Sequence, residues 1–172
     1  MKYISAIIVA GGSGSRMGTS TKKQYLKIKD KEILVYTVEC FQNMPEIQEI
    51  VVVTGKEDIA YVEKLLKDTY KLNKVSYIVA GGKERQDSVY NGIQAADEKS
   101  DYLVIHDGAR PLVTEEVVRA GLDMAYTHRA SIIAVPVKDT IKLVSKDGKV
   151  EATPDRSSLW LSLIHISEPT RL

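Results

Sequence analysis

Ala6-Ile-Ile-Val-Ala-Gly-Gly-Ser-Gly-Ser-Arg-Met-Gly18, continued by Lys22-Lys-Gln-Tyr-Leu26, is the stretch from which the remainder of the chain is read. Ile4 and the run Ile7 to Val9 are β-branched and apolar, the pattern of a buried first strand. The strand breaks into Gly11, Gly12, Gly14 and Gly18, separated by small hydroxyl residues. Without a Cβ, backbone N–H groups can close around an anion. Two cations accompany the loop, Arg16 inside it and Lys23 just after it. Strand, anion-cradling loop and fixed positive charges together describe a triphosphate site. The competing reading is an ordinary strand-to-helix turn with incidental glycines. A dinucleotide fingerprint starting at Gly12 fails because Met17 stands where its third glycine belongs, and no Gly-Lys-Ser/Thr follows as a phosphate-loop NTPase requires.

At 172 residues the chain is long enough for one domain with a sizeable core. Lys plus Arg total 24 against 23 Asp plus Glu, a net charge of +1. That balance argues against a general binder of nucleic acid or anionic membrane, which would carry a basic excess. One cysteine, Cys40, excludes an internal disulfide and suits a reducing cytoplasm. No apolar run reaches 18 residues and no secretory leader is recognisable, so a soluble cytoplasmic protein is expected.

Downstream, strands and helices alternate. Helices are expected over 33–44, 57–68 and 84–96, and from a Thr114 N-cap to Tyr126, with Glu115 and Glu116 at the positive end of the dipole. Strands are expected over 49–54, 75–79, 102–105 and 131–135. This rhythm predicts an α/β fold, a parallel sheet with helices on both faces in three Rossmann-like layers. Ligands in such sheets bind beyond the carboxyl ends of the strands. The first strand ends in the Gly loop, the third in Gly81-Gly82-x-x-Arg85 and the fourth in His106-Asp107-Gly108. Glycines, cations and a carboxylate therefore converge on one crevice. After Pro136 the pattern changes to two short runs around Lys146-Asp-Gly148, a hairpin signal. It reads as an arm over about 137–157 projecting from the domain, or else as an antiparallel edge hairpin of the same sheet.

Five motifs in order carry a resemblance to a known family. They are the Gly loop with Lys23-Gln24-Tyr25, then Gly81-Gly82-x-x-Arg85-x-Asp87-Ser88-Val89, then His106-Asp107-Gly108-Ala109-Arg110-Pro111. Val135-Pro-Val-Lys-Asp-Thr140-Ile-Lys142 and Asp155-Arg156-x-x-Leu159-Trp160 complete the set. Over residues 3–160 the chain closely resembles the 2-C-methyl-D-erythritol 4-phosphate cytidylyltransferases of the non-mevalonate isoprenoid pathway. Ribitol-5-phosphate cytidylyltransferases share the loop and the Asp-x-x-Arg-Pro motif but usually differ at Gly108-Ala109 and at Pro136-x-x-Asp139-Thr140. Two further rival functions are a sugar-1-phosphate nucleotidylyltransferase using UTP or GTP and a non-catalytic nucleotide-binding module. The presence of Arg16, Lys23 and Asp107 argues against the non-catalytic module.

The resemblance implies that Ala10, Gly11, Gly12 and Ser13 hold CTP phosphates and ribose through their backbone. Gly82 and Ser88 would line the cytosine pocket, Gly108 would back the nucleotide, and Asp107 would hold Mg²⁺ on the triphosphate. Arg16 and Lys23 would stabilise charge at the reacting phosphorus. Arg85 and Arg110 are expected to brace the site as ion pairs, and His106 to be a packing residue. In the family the arm crosses to a second subunit, so Thr140 and Arg156 would grip the polyol phosphate next door. A homodimer follows, with CTP and a polyol phosphate as partners.

Residues 161–172 depart from the family, and 161–171 resemble the translation of a transposon-type sequencing adapter, the alternative being a short natural terminus. The expected domain is therefore 1–160, incomplete at its C-terminus, with 161–172 a non-family tail. On that reading Asp107 lacks a partner carboxylate, the fifth strand lacks later neighbours and exposes apolar edge, and the chain transfers little or no cytidylyl group.

Overall fold

The computed structural model describes residues 2–12 and 21–167. Strand β1 (Ile4–Val9) lies in the middle of the sheet and is buried on both faces. This explains its continuous rather than alternating apolar run. It leads through a 3₁₀ turn (Lys23–Tyr25) and a small hairpin, β2 (Lys27–Ile28) and β3 (Lys31–Glu32), into helix α1 (Ile33–Asn43). Next come β4 (Glu49–Thr54), helix α2 (Ile59–Glu63) with flanking irregular helical turns, and β5 (Val75–Ala80). Helix α3 (Arg85–Ala95), β6 (Tyr102–Asp107), helix α4 (Glu115–His128) and β7 (Ala130–Pro136) complete the alternation. The Thr114 hydroxyl accepts from the Val117 N–H, so the expected α4 cap is present.

Outside this alternation lie the arm strands β8 (Leu143–Val144) and β9 (Val150–Ala152), and then β10 (Trp160–Ser167). The six-stranded sheet runs β5-β4-β1-β6-β10-β7, and β5, β4, β1 and β6 are mutually parallel. Period-two alternation divides its side chains between two cores. Ile4, Ala6 and Ile8 pack with Leu34, Val38 and Phe41 of α1, Val62 of α2 and Val118, Leu122 and Ala125 of α4. Ile7, Val53 and Leu103 face the opposite way and pack with Ile93 of α3. The three-layer α/β expectation holds, with α1, α2 and α4 on one face and α3 on the other among the described residues.

Two expectations change. The sheet is not wholly parallel, because β10 runs antiparallel between β6 and β7. The fifth strand of the alternation, β7, therefore does not lack a later neighbour along both edges; residues beyond Trp160 pair with one of them. Period-two spacing explains the insertion, since Ile164 and Ile166 turn to the α4 face and are each 1% exposed. Apolar surface nonetheless remains here, with Ile132, Val135 and Leu161 exposed.

In the arm, β8 and β9 pair as a separate two-stranded sheet. An edge hairpin within the main sheet is thereby excluded. Gly148 sits at φ +82°, the left-handed conformation its tight turn demands.

If β10 is an inner strand, Ile166→Ala should lower unfolding free energy by about 2–5 kcal/mol, the usual cost of an Ile-to-Ala change in a core. The exposed control Leu161→Ala should stay within about 0.5 kcal/mol of the parent. Urea unfolding measures both, and equal effects would remove β10 from the core.

Candidate active site

Beyond the carboxyl ends of β1, β5 and β6 lies a cavity of about 650 Å³, lined by Gly11, Gly12, Lys23, Gly82, Arg85, Ser88 and Asp107 among others. Its size falls in the roughly 300–1,000 Å³ range of small-molecule sites. Each wall traces to a local feature of the sequence. The Gly81–Gly82 turn is drawn against β4 by a bond from the Gly81 N–H to the Thr54 carbonyl (2.7 Å). The Gly82 N–H donates to Ser88 Oγ (3.1 Å), whose own hydroxyl donates to the Glu84 carbonyl (3.2 Å). Glu84 and Asp87 form a capping box that fixes the start of α3.

Asp107 closes the opposite wall. Arg85 Nη2 lies 2.8 Å from Asp107 Oδ1, and Arg110 Nε lies 3.0 Å from Oδ2. The two arginines thus form the expected ion pairs while also lining the cavity. Both are substantially exposed, so each pair is worth only about 0–1 kcal/mol and can exchange partners at small cost. His106, by contrast, is buried, its ring 5.5 Å from Phe41, and its Nε2–H donates to the Arg110 carbonyl (3.2 Å). Burial holds its pKa below the ordinary histidine value, so it is neutral and acts in packing. Burial likewise pushes the Cys40 thiol up to about 11, which makes it a poor nucleophile.

The approach to Lys23 is held on both sides. Lys22 reaches away to Glu57 and Asp58, and its bond to Asp58 (2.6 Å) is the first cause of a raised pKa. Tyr25 shares a hydrogen bond with Thr54 Oγ1 (2.6 Å) and donates to Asp58 (3.1 Å). Burial pushes its phenol up to about 12, so the donor is retained at neutral pH. Gln24, 3% exposed, donates through Nε2 to the carbonyls of Ala10 (2.6 Å) and Gly12 (3.2 Å).

The sequence-derived candidates divide into four groups. Gly11, Gly12, Lys23, Gly82, Ser88 and Asp107 come together around the cavity. Ala10 and Gly108 are not among its lining residues. The Ala10 N–H is bonded to the Val53 carbonyl, and Gly108 bonds to Val9 and Thr37. A Cβ on Gly108 would meet Leu34 at 2.9 Å and Ala10 at 3.0 Å, so its glycine serves close packing on α1. Thr140 and Arg156 sit on the arm away from the cavity, and Arg156 Nη1 donates to the Lys138 carbonyl (2.9 Å). Ser13 and Arg16 lie outside the described residues. Sequence reasoning gave no role to Gln24, Thr54 or Ala109. Gln24, inside the Lys23-Gln24-Tyr25 motif, and Ala109, inside the Asp107-Gly108-Ala109-Arg110 motif, each carried a signal; Thr54 carried none beyond its strand.

Among the described residues no cluster of three or more His, Cys, Asp or Glu side chains is present. A protein-built metal cage is therefore absent from them. One carboxylate, Asp107, lining the cavity does fit Mg²⁺, which takes one or two carboxylates and completes its shell with substrate phosphates and water.

Comparison with known proteins identifies the family. The family model described as "IspD: 2-C-methyl-D-erythritol 4-phosphate cytidylyltransferase" matches residues 4–164, four residues further than the motifs alone reach. A relative of that name from Caldanaerobacter subterraneus subsp. tengcongensis is 45% identical over 157 residues, 91% of this chain and 69% of the relative. Another, from Syntrophus aciditrophicus, is 45% identical over 159 residues, 92% of this chain and 68% of the relative. Among solved structures, the 4-diphosphocytidyl-2C-methyl-D-erythritol synthase of Anaerococcus prevotii superposes with a TM-score of 0.78 at 30% identity, covering 97% of this chain and 70% of the other.

Proposed function

Because the chain belongs to the 2-C-methyl-D-erythritol 4-phosphate cytidylyltransferase family, we propose that its cavity binds CTP and transfers CMP to 2-C-methyl-D-erythritol 4-phosphate. The observation that carries this reading is the convergence of Gly11, Gly12, Lys23, Gly82, Ser88 and Asp107 on one cavity. An oxygen of the polyol phosphate attacks the α-phosphorus of CTP. The bond from that phosphorus to the bridging oxygen breaks, and pyrophosphate leaves with the electron pair. The attacking group is already anionic, so no protein nucleophile is required. Positioning and charge stabilisation are what the protein supplies.

Backbone N–H groups of the Gly loop receive the phosphates, and the Lys23 ammonium faces charge building at the α-phosphorus and on the leaving oxygen. Arg16 shares that task in this reading. Gly82 and Ser88 border the base. Asp107 is the residue to hold Mg²⁺, which offsets charge on the triphosphate when bound. Arg85 and Arg110 brace Asp107 through their ion pairs. Ala10 and Gly108 hold the adjoining strand ends through backbone bonds. The exposed arm, a two-stranded hairpin too small to be stable alone, reaches a second copy, where Thr140 and Arg156 meet the polyol phosphate. The working unit is a homodimer in the cytoplasm.

Pyrophosphate release assayed with each of CTP, UTP, GTP and ATP, and with methylerythritol phosphate or ribitol 5-phosphate as acceptor, tests the reading. Release confined to CTP with methylerythritol phosphate is expected. Preference for UTP or GTP would make the chain a sugar-1-phosphate nucleotidylyltransferase, and preference for ribitol 5-phosphate a ribitol-5-phosphate cytidylyltransferase.

A further inference from the structure

We propose that Gln24 is a positioning residue whose side-chain amide clamps the start of the Gly loop, turning the Gly11 N–H toward the nucleotide phosphates. The proposal rests on the CTP reading for the identity of the anion, but its geometry stands independently. Gln24 is 3% exposed, and a buried primary amide must satisfy its donors. Nε2 spends both N–H groups on two carbonyls of one loop, Ala10 O at 2.6 Å and Gly12 O at 3.2 Å. A trans peptide places its N–H opposite its carbonyl, and the described chain has no cis peptides. The Ala10 carbonyl faces Gln24, so the N–H of the same peptide, that of Gly11, is directed away from Gln24. Gly11 and Gly12 both line the cavity, whose wall Gln24 also joins.

The bonds on either side of Gln24 lock the clamp in register. Lys22 is tied to Asp58, and Tyr25 to both Thr54 and Asp58. Thr54 also accepts the Gly81 N–H through its carbonyl, joining the Gly loop to the Gly81–Gly82 turn. Lys22 and Tyr25 are fixed to β4 and its following turn, and Gln24 is fixed to the loop carbonyls; Lys23 and Gln24 are the members of the run that line the cavity. The Lys-Gln-Tyr order therefore acts as one device, in which neighbouring side chains set the backbone from which Lys23 extends.

Gln24→Glu tests the clamp, because it preserves shape while replacing the two-proton donor with an acceptor facing two carbonyls. Gln24→Met removes the donor without adding charge and decides the matter if the first variant does not fold. Two measurements are made on the whole chain with its melting temperature recorded. One is the rate of tryptic cleavage after Arg16 relative to cleavage after Lys146 in the arm. The other is the ratio of CTP to cytidine affinity by titration. A clamp predicts cleavage after Arg16 at least fivefold faster with Lys146 unchanged, and a CTP-to-cytidine ratio at least tenfold lower. A residue with only a general stabilising role would change both cleavage rates or both affinities together. Unchanged relative cleavage in the folded variants would overturn the clamp. If the parent chain binds no CTP while relative cleavage still rises, the clamp stands and the CTP reading fails.

Discussion

Lys23→Ala is expected to lower turnover by about 10²–10³, the usual cost of removing one preorganised donor to transition-state charge. CTP affinity should fall far less. In the proposed reading the ammonium would share the ground-state phosphates with the Gly-loop amides, whereas charge at the α-phosphorus grows only as the new bond forms. Lys23 lines the cavity beside Gly11 and Gly12. Its backbone is set by Lys22, Gln24 and Tyr25, so its removal leaves the pocket shape intact. The absolute rate of the parent chain does not enter the test. The comparison is therefore made as a ratio, by steady-state kinetics with CTP varied. Turnover within threefold of the parent would remove Lys23 from the chemistry. Arg16→Ala is expected to behave in the same way.

The second large effect concerns the arm. Arg156 lies off the cavity and donates to the Lys138 carbonyl, a bond that holds a planar guanidinium without using its full fork. If that fork serves a neighbouring subunit, Arg156→Ala chains and Arg16→Ala chains are each inactive, yet a mixed dimer contains one intact site. Random exchange makes half the dimers mixed, each with one working site of two, so recovery should approach about a quarter of parental activity in a two-fold dimer. Activity after mixing and subunit exchange measures this. Absence of recovery, with exchange demonstrated by tagged chains, would place Arg156 in the site of its own chain.

Much of this was legible in the residues. The β-branched run before Gly11 marks β1, and the glycines and cations at three strand ends mark the cavity. The alternation around Asp147-Gly148 marks the arm hairpin. Less was legible after Trp160. Ile164 and Ile166 carry the alternation of a half-buried strand, but the likeness of 161–171 to adapter sequence points away from any place in the fold. Antiparallel insertion between β6 and β7 depends on long-range pairing that no local pattern specifies. Backbone roles were also hidden. Ala10 and Gly108 were associated with the nucleotide, whereas Ala10 is hydrogen-bonded to β4 and Gln24, and Gly108 to β1 and α1. Gln24 stands in the Lys23-Gln24-Tyr25 motif, but its action on two carbonyls of the preceding loop emerges only in three dimensions.

The most direct test of cytidylyl transfer is phosphorus NMR of the chain incubated with CTP, methylerythritol phosphate and Mg²⁺. The account predicts two new signals from a diphosphate joining cytidine to the polyol, with one pyrophosphate formed for each, and neither when ribitol 5-phosphate replaces the acceptor. Bound CTP that remains intact through many hours, or a cytidine diphosphate ester formed equally well with ribitol 5-phosphate, would contradict it.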